Sequence, residues 1–209
     1  VQEVTQPGQL AGADLAVMVN PNNPDGSRHS PADLLALAAQ VGRLVVDESF
    51  ADADPALSLA PLAGPERLLI LRSFGKFYGL AGVRLGFVLG SQADIAALEA
   101  MAGPWPVSGA AIRVGSVALA DTAWAEATTA RLRAEVDRAD ALARAAGWQA
   151  LGGCPLFRLY DTPDAALAQM RLAGHQIWSR IFPYSNRWLR LGLPGGETEW
   201  ARLAQALAV

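Results

Sequence analysis

The chain has 209 residues, 17 Lys and Arg against 20 Asp and Glu, a formal net charge of −3 and 52% hydrophobic residues. That length buries a real core in one large domain or two small ones, and the absence of a basic block argues against a nucleic-acid partner. No uncharged apolar run approaches the roughly 18–20 residues of a membrane span, and the single cysteine, Cys154, excludes an internal disulfide.

The first half alternates short apolar runs with helical patterns. Leu15–Val19 (LAVMV) is bounded by Asn-Pro-Asn-Asn-Pro. Ser30-Pro31 is an N-cap followed by Pro at the first helical position, and the helix runs through Ala32–Val41 to Gly42. Leu44–Val46, Leu68–Leu71 and Arg84–Leu89 read as three further strands. Strands alternating with helices predict a parallel sheet covered on both faces. A helix follows Ser91 to about Ala102, then a break at Gly103-Pro104-Trp105-Pro106.

The spacing of apolar residues predicts a long helical stretch over about Gly109–Ala146, interrupted near Asp121. The end of the chain changes character. Strands are expected at Leu156–Tyr160, Ile177–Phe182 and Trp188–Leu193, and helices at Pro163–Ala173 and Glu197–Ala208. The domains are drawn at 1–104, a sheet-based unit, and 105–209, a connecting helix and a smaller α+β unit.

Three of the apolar strands end in polar clusters: Asn20–Asn23, Asp47 and Ser73–Lys76. Ligands of open parallel sheets bind beyond the carboxyl ends of the strands. An amide, a carboxylate, a hydroxyl and an amine are therefore expected to converge on one crevice, with Arg84 adding a fixed positive charge. Such a set suits a ligand that carries an electrophilic carbonyl, a basic ring nitrogen and a phosphate. No Cys/His cluster spells a metal site; His29 and His175 are expected at the surface or as supporting residues. Phe77, Tyr78 and Trp105 are expected to pack.

The segments NPNNPDG (Asn20–Gly26), VVDESF (Val45–Phe50) and SFGKFYGLAGVRLGF (Ser73–Phe87) resemble, in order and spacing, the aspartate-aminotransferase-like, fold-type I enzymes that use pyridoxal 5'-phosphate. The resemblance implies an α/β fold of the pyridoxal-phosphate-dependent transferase type: part of a large, mostly parallel-sheet domain plus a small C-terminal α+β domain. It implies that Lys76 bonds to the cofactor aldehyde, which requires an unprotonated amine favoured by burial near positive charge. Asp47 is then the carboxylate facing the pyridine nitrogen, making the ring an electron sink. Asn23 is the amide donor to the ring's phenolate oxygen, Ser73 and Arg84 hold the phosphate, and Arg190, in WLRLGLP, grips the substrate carboxylate. Arg180, in IWSRIF, is a candidate for a substrate phosphate or carboxylate contact. Phe50 departs from the family, many of whose members carry a Tyr there that also reaches the phenolate oxygen.

Within that superfamily the stretches LVVDESFADADPALSLAPL (Leu44–Leu62) and GPWPVSG (Gly103–Gly109) resemble the threonine-phosphate decarboxylases of cobalamin biosynthesis. Histidinol-phosphate aminotransferase is the neighbouring alternative, and a non-catalytic protein of the same fold is a third. The resemblance further implies a small amino acid phosphate as substrate and, when the chain is full length, a homodimer; composition leaves no nucleic-acid or membrane partner expected. Without an export signal the expected location is the cytoplasm. The chain begins without Met, and the family's N-terminal arm, Gly-rich turn and ring-stacking aromatic do not precede Val1, so the expectation is a chain that lacks the N-terminal part.

Overall fold

The structure, a computed structural model, describes residues 1–208; Val209, the last residue of the expected second domain, lies outside the described residues. The chain divides into two compact units. The first comprises Val1–Asn22 and Arg28–Ala123, and the second comprises Asn23–Ser27 together with 124–208. The expected boundary stood at 104/105; the units divide after Ala123, and the short turn Asn23–Ser27 goes with the second.

The first unit holds β1 (Ala16–Val19), α1 (Pro31–Ala38), β2 (Leu44–Asp47), β3 (Leu68–Ser73), β4 (Gly86–Leu89), α2 (Gln92–Ala102) and α3 (Gly109–Ala120). Helix α1 starts where its cap chemistry dictates: the Ser30 side chain accepts from the Asp33 amide, Asp33 reaches back, and Pro31 occupies the first turn. The sheet order is β1-β2-β3-β4. The first three strands are parallel, in register at Val19, Asp47 and Leu71. β4 runs antiparallel to β3, so the sheet is mostly parallel, as expected. The reason is local: the β3–β4 connection has no crossover helix, only the loop 74–85 with one short 3-10 turn at Ala81–Val83, so the chain returns beside the strand it left.

One sheet face is closed. Ala16, Leu44, Val46, Leu68 and Ile70 pack with Leu34 and Leu37 of α1 into one core. On the other face Val45, Leu69 and Leu71 are half-buried, while Val17 on the edge strand β1 is 59% exposed, so that face is covered only in part among the described residues.

The second unit holds α4 (Thr122–Ala145), β5 (Gln149–Cys154), β6 (Phe157–Asp161), α5 (Ala165–Gly174), β7 (Arg180–Phe182), β8 (Ser185–Gly192) and α6 (Glu197–Leu207), with the first two residues of α4 falling in the other unit. Its antiparallel sheet has the order β5-β6-β8-β7. Leu189 and Leu191 of β8, Tyr160 of β6, Leu172 of α5 and Trp200, Leu203 and Leu207 of α6 form its core. The break expected near Asp121 lies there, between α3 and α4. Strand β5 was not anticipated from sequence. No helix among the described residues is long and apolar enough to cross a membrane, and no group of three or more His, Cys, Asp or Glu side chains among them is placed to hold a metal ion.

Candidate active site

In the first unit the parallel strands bring their carboxyl ends to one edge. The Asn20 amide donates to the Asp47 carbonyl at 2.9 Å, and the Glu48 amide to the Leu71 carbonyl at 2.9 Å. Side chains alternate along a strand. Glu48 and Arg72 therefore follow Val46 and Ile70 onto the closed face, while Asp47 and Ser73 follow Val45 and Leu71 onto the other face.

Asp47 is half-buried, and its Oδ1 accepts from the Ser49 amide (2.9 Å) and hydroxyl (2.5 Å). Ser73 closes β3, and its Oγ accepts from the Gly75 amide at 3.2 Å. Lys76 stands in the loop that follows, where its carbonyl accepts from the Gly79 amide at 3.1 Å. Its Nζ lies 5.5 Å from the centroid of the buried Phe50 ring, which ties the β3 loop to the segment after β2. The desolvation expected of Lys76 is not provided within this chain, where the residue is exposed.

Arg84 is in the left-handed region, φ 57 and ψ 42, at the end of the 3-10 turn. A non-glycine residue there is uncommon and stores strain, often at functional sites. The Ser73–Gly86 pairing and the Phe74 amide donating to the Leu85 carbonyl (3.3 Å) place Arg84 beside the loop that carries Lys76. A carboxylate, a hydroxyl, an amine and a guanidinium thus gather at one end of the sheet. That donor set fits a ligand with an aldehyde, a protonated ring nitrogen and a phosphate.

The second unit gathers the other candidates. Arg180 and Arg190 are direct partners across the β7–β8 ladder. Arg190 lies over the Phe157 ring, 5.1 Å from its centroid, and its Nη1 donates to Asn23 Oδ1. Burial, and then the charge of Arg180, hold its guanidinium below the usual arginine range. A cavity of about 510 Å³ is lined by Gln169, Trp178, Ser179, Arg180, Ile181, Arg190 and Gly192. Two guanidinium groups stand among its lining residues, a donor set suited to an anion.

Some residues went unread in the sequence. Glu48 is fully buried and accepts from the Leu59 amide (2.6 Å), the Ser58 hydroxyl (2.5 Å) and Arg72 (2.9 Å); Arg72 also reaches Asp52 at 2.5 Å. The available signal was a second acid directly after Asp47, forced by alternation onto the core side. Trp105, expected to pack, is 91% exposed, whereas Phe77 is buried and Tyr78 stacks on Phe74 at 4.4 Å.

The sequence model for aminotransferase class I and II matches residues 6–207. This chain belongs to the aminotransferase class I and II family. Curated family members named threonine-phosphate decarboxylase, from a Sinorhizobium species and from Pseudomonas aeruginosa, are 44% and 43% identical over 93% and 95% of the chain. The chain spans 59% and 61% of their respective lengths. The structure of histidinol-phosphate aminotransferase from Sinorhizobium meliloti, solved with pyridoxal-5'-phosphate, is similar with a TM-score of 0.83 and 25% identity. That match covers 93% of this chain and 56% of the other.

Proposed function

We propose that this chain carries the cofactor lysine and the substrate arginines of a pyridoxal-phosphate-dependent decarboxylase that converts L-threonine O-3-phosphate to (R)-1-amino-2-propanol O-2-phosphate. The choice of reaction rests on one observation, the 43–44% identity to two curated threonine-phosphate decarboxylases over nearly the whole chain. The donor sets of the two units support it. Pyridoxal phosphate, when bound, supplies an electron sink for the pair left behind when a bond to the substrate Cα breaks.

In this reading Lys76 would hold the cofactor through Nζ and its amine could return a proton to the substrate Cα. Asp47 keeps a proton on the ring nitrogen by placing an anion beside it. Ser73 Oγ and Arg84 bind the cofactor phosphate, and Asn23 donates to the ring oxygen. Arg190 and Arg180 hold the two anionic groups of the substrate, carboxylate and phosphate. By fixing both anionic groups, the two arginines would orient the bonds at the substrate Cα and so select between loss of carbon dioxide and amino transfer.

The second reading, an aminotransferase acting on histidinol phosphate, is favoured by the 0.83 TM-score to such an enzyme. Incubation with L-threonine O-3-phosphate separates the two. Carbon dioxide release without a keto-acid acceptor is expected; acceptor-dependent turnover of histidinol phosphate alone would replace the first reading with the second. Borohydride reduction should trap the cofactor on Lys76 and leave no adduct in Lys76→Ala.

A further inference from the structure

The Asn23–Ser27 turn follows directly on the first unit's chain and yet folds into the second unit, where it lies on β5 with no side chain between the two backbones. A Cβ on Gly152 would come within 2.1 Å of the Asp25 carbonyl oxygen, and one on Gly26 within 2.1 Å of the Gly153 carbonyl oxygen. Gly26 also has φ +71, where a side chain is strained. The β5–β6 register shifts between Ala150 and Gly152, so the seat is a bulge, a feature that re-aims the chain beside a site. Glycine inside a strand marks a close backbone approach of this kind. The turn is braced internally as well: Asp25 accepts from the Ser27 amide at 3.1 Å and the Ser27 hydroxyl at 2.6 Å. The residue that leads into this braced turn is Asn23, and its Oδ1 accepts from Arg190.

We propose that Gly152, through its backbone contact with Asp25, is a positioning residue for the substrate anion. The inference rests on the reading of Arg190 as an anion ligand and deepens it. Arg190 faces a like charge at Arg180 and is stacked on Phe157, so left to itself its guanidinium would turn away from Arg180. Asn23 supplies the neutral acceptor that holds it in place, and it can do so only where the turn sits at backbone contact distance from β5. Any side chain at position 152 lifts the turn, because the atom it meets is backbone and cannot swing aside.

The test is binding of L-threonine O-3-phosphate to the cofactor-free full chain, by calorimetry, together with thermal melting. Gly152→Ala and Asn23→Ala should each weaken binding about tenfold or more, equivalent to roughly 1.4 kcal/mol. Asn23→Ala should still melt in one cooperative transition, which shows that it folds. The double variant should bind no worse than Gly152→Ala alone, since both act through one link. Gly174→Ala, where a Cβ meets nothing within 4 Å, should bind as the parent does; an equal loss there would overturn the inference.

If Arg190→Ala binds normally, the arginine reading fails and this inference with it. If Arg190→Ala loses affinity while Gly152→Ala and Asn23→Ala keep it, the glycine seat alone is overturned. Should Gly152→Ala not fold, Asn23→Ala carries the test: unchanged affinity there overturns the proposal.

Discussion

Arg180 and Arg190 face each other directly across the β7–β8 ladder, one cation opposite another. Like charges in that position destabilise an antiparallel pair by about 0.2–1 kcal/mol. A fold retains such a pair when something else gains from it, and the two arginines line one cavity, where the proposed function has them hold an anion. The expected outcome of Arg180→Gln is therefore a trade. Urea denaturation at low salt should show a gain within that range, shrinking as salt screens the repulsion. Affinity for the amino acid phosphate should fall at the same time. A variant both less stable and unimpaired in binding would contradict the assignment.

Arg84 presents a second trade. Its left-handed backbone, φ 57, costs a non-glycine residue roughly 1–2 kcal/mol. Arg84→Gly removes the strain and the guanidinium together. The cofactor-free variant is expected to unfold at a higher denaturant concentration than the parent, because the strain relieved exceeds the roughly 0.5–1 kcal/mol that glycine's freedom in the unfolded chain costs. Retention of pyridoxal phosphate should drop by about tenfold to a hundredfold, the worth of a charge-assisted hydrogen bond of roughly 1.5–3 kcal/mol. Equilibrium dialysis measures the second effect; an unchanged dissociation constant would remove Arg84 from the phosphate site.

The strands of the first unit and the start of α1 were legible because local chemistry fixes them: apolar runs that end in polar residues, and Ser30 with Pro31 at a helix start. The interruption near Asp121 was legible from the apolar spacing on either side of it. Strand β5 was not, because Gly152 and Gly153 remove the β-branched signal that marks a strand. The antiparallel β4 was hidden in a loop whose path depends on what it returns to. Of the candidate site, Asp47, Ser73, Lys76 and Arg84 were proposed from strand ends and a motif within one stretch of chain. The Asn23–Arg190 contact spans 167 residues, and no local pattern announces it.

The buried ionic group on the closed face of the first sheet carries its own prediction. Arg72 lies between Glu48, whose side chain is 0% exposed, and Asp52, whose side chain is 9% exposed. Breaking a buried pair by removing one partner leaves an uncompensated charge and costs about 3–5 kcal/mol. Arg72→Leu leaves two such carboxylates, so its loss on denaturant unfolding should reach at least that range. A loss below about 1 kcal/mol would mean the group is solvated or neutral.

Asp52 sets the pH dependence of the same group. Burial raises its pKa above the ordinary carboxylate value of 3.8, and the opposing charge of Arg72 does not cancel the effect. Its Oδ2 is buried without a hydrogen-bond partner, which agrees with a carboxyl disfavoured as the anion. Between the unfolded and folded pKa values the folded state binds more protons, so stability falls as pH rises through that window. The contribution of Asp52 is fully present below about pH 3.8 and lost once pH passes the raised folded value. Asp52→Asn removes this titration. The stability of the variant relative to the parent should therefore rise from pH 4 to pH 7, whatever its absolute offset, as read from urea unfolding at each pH. The opposite slope would mean that Arg72, and not burial, dominates the Asp52 carboxyl.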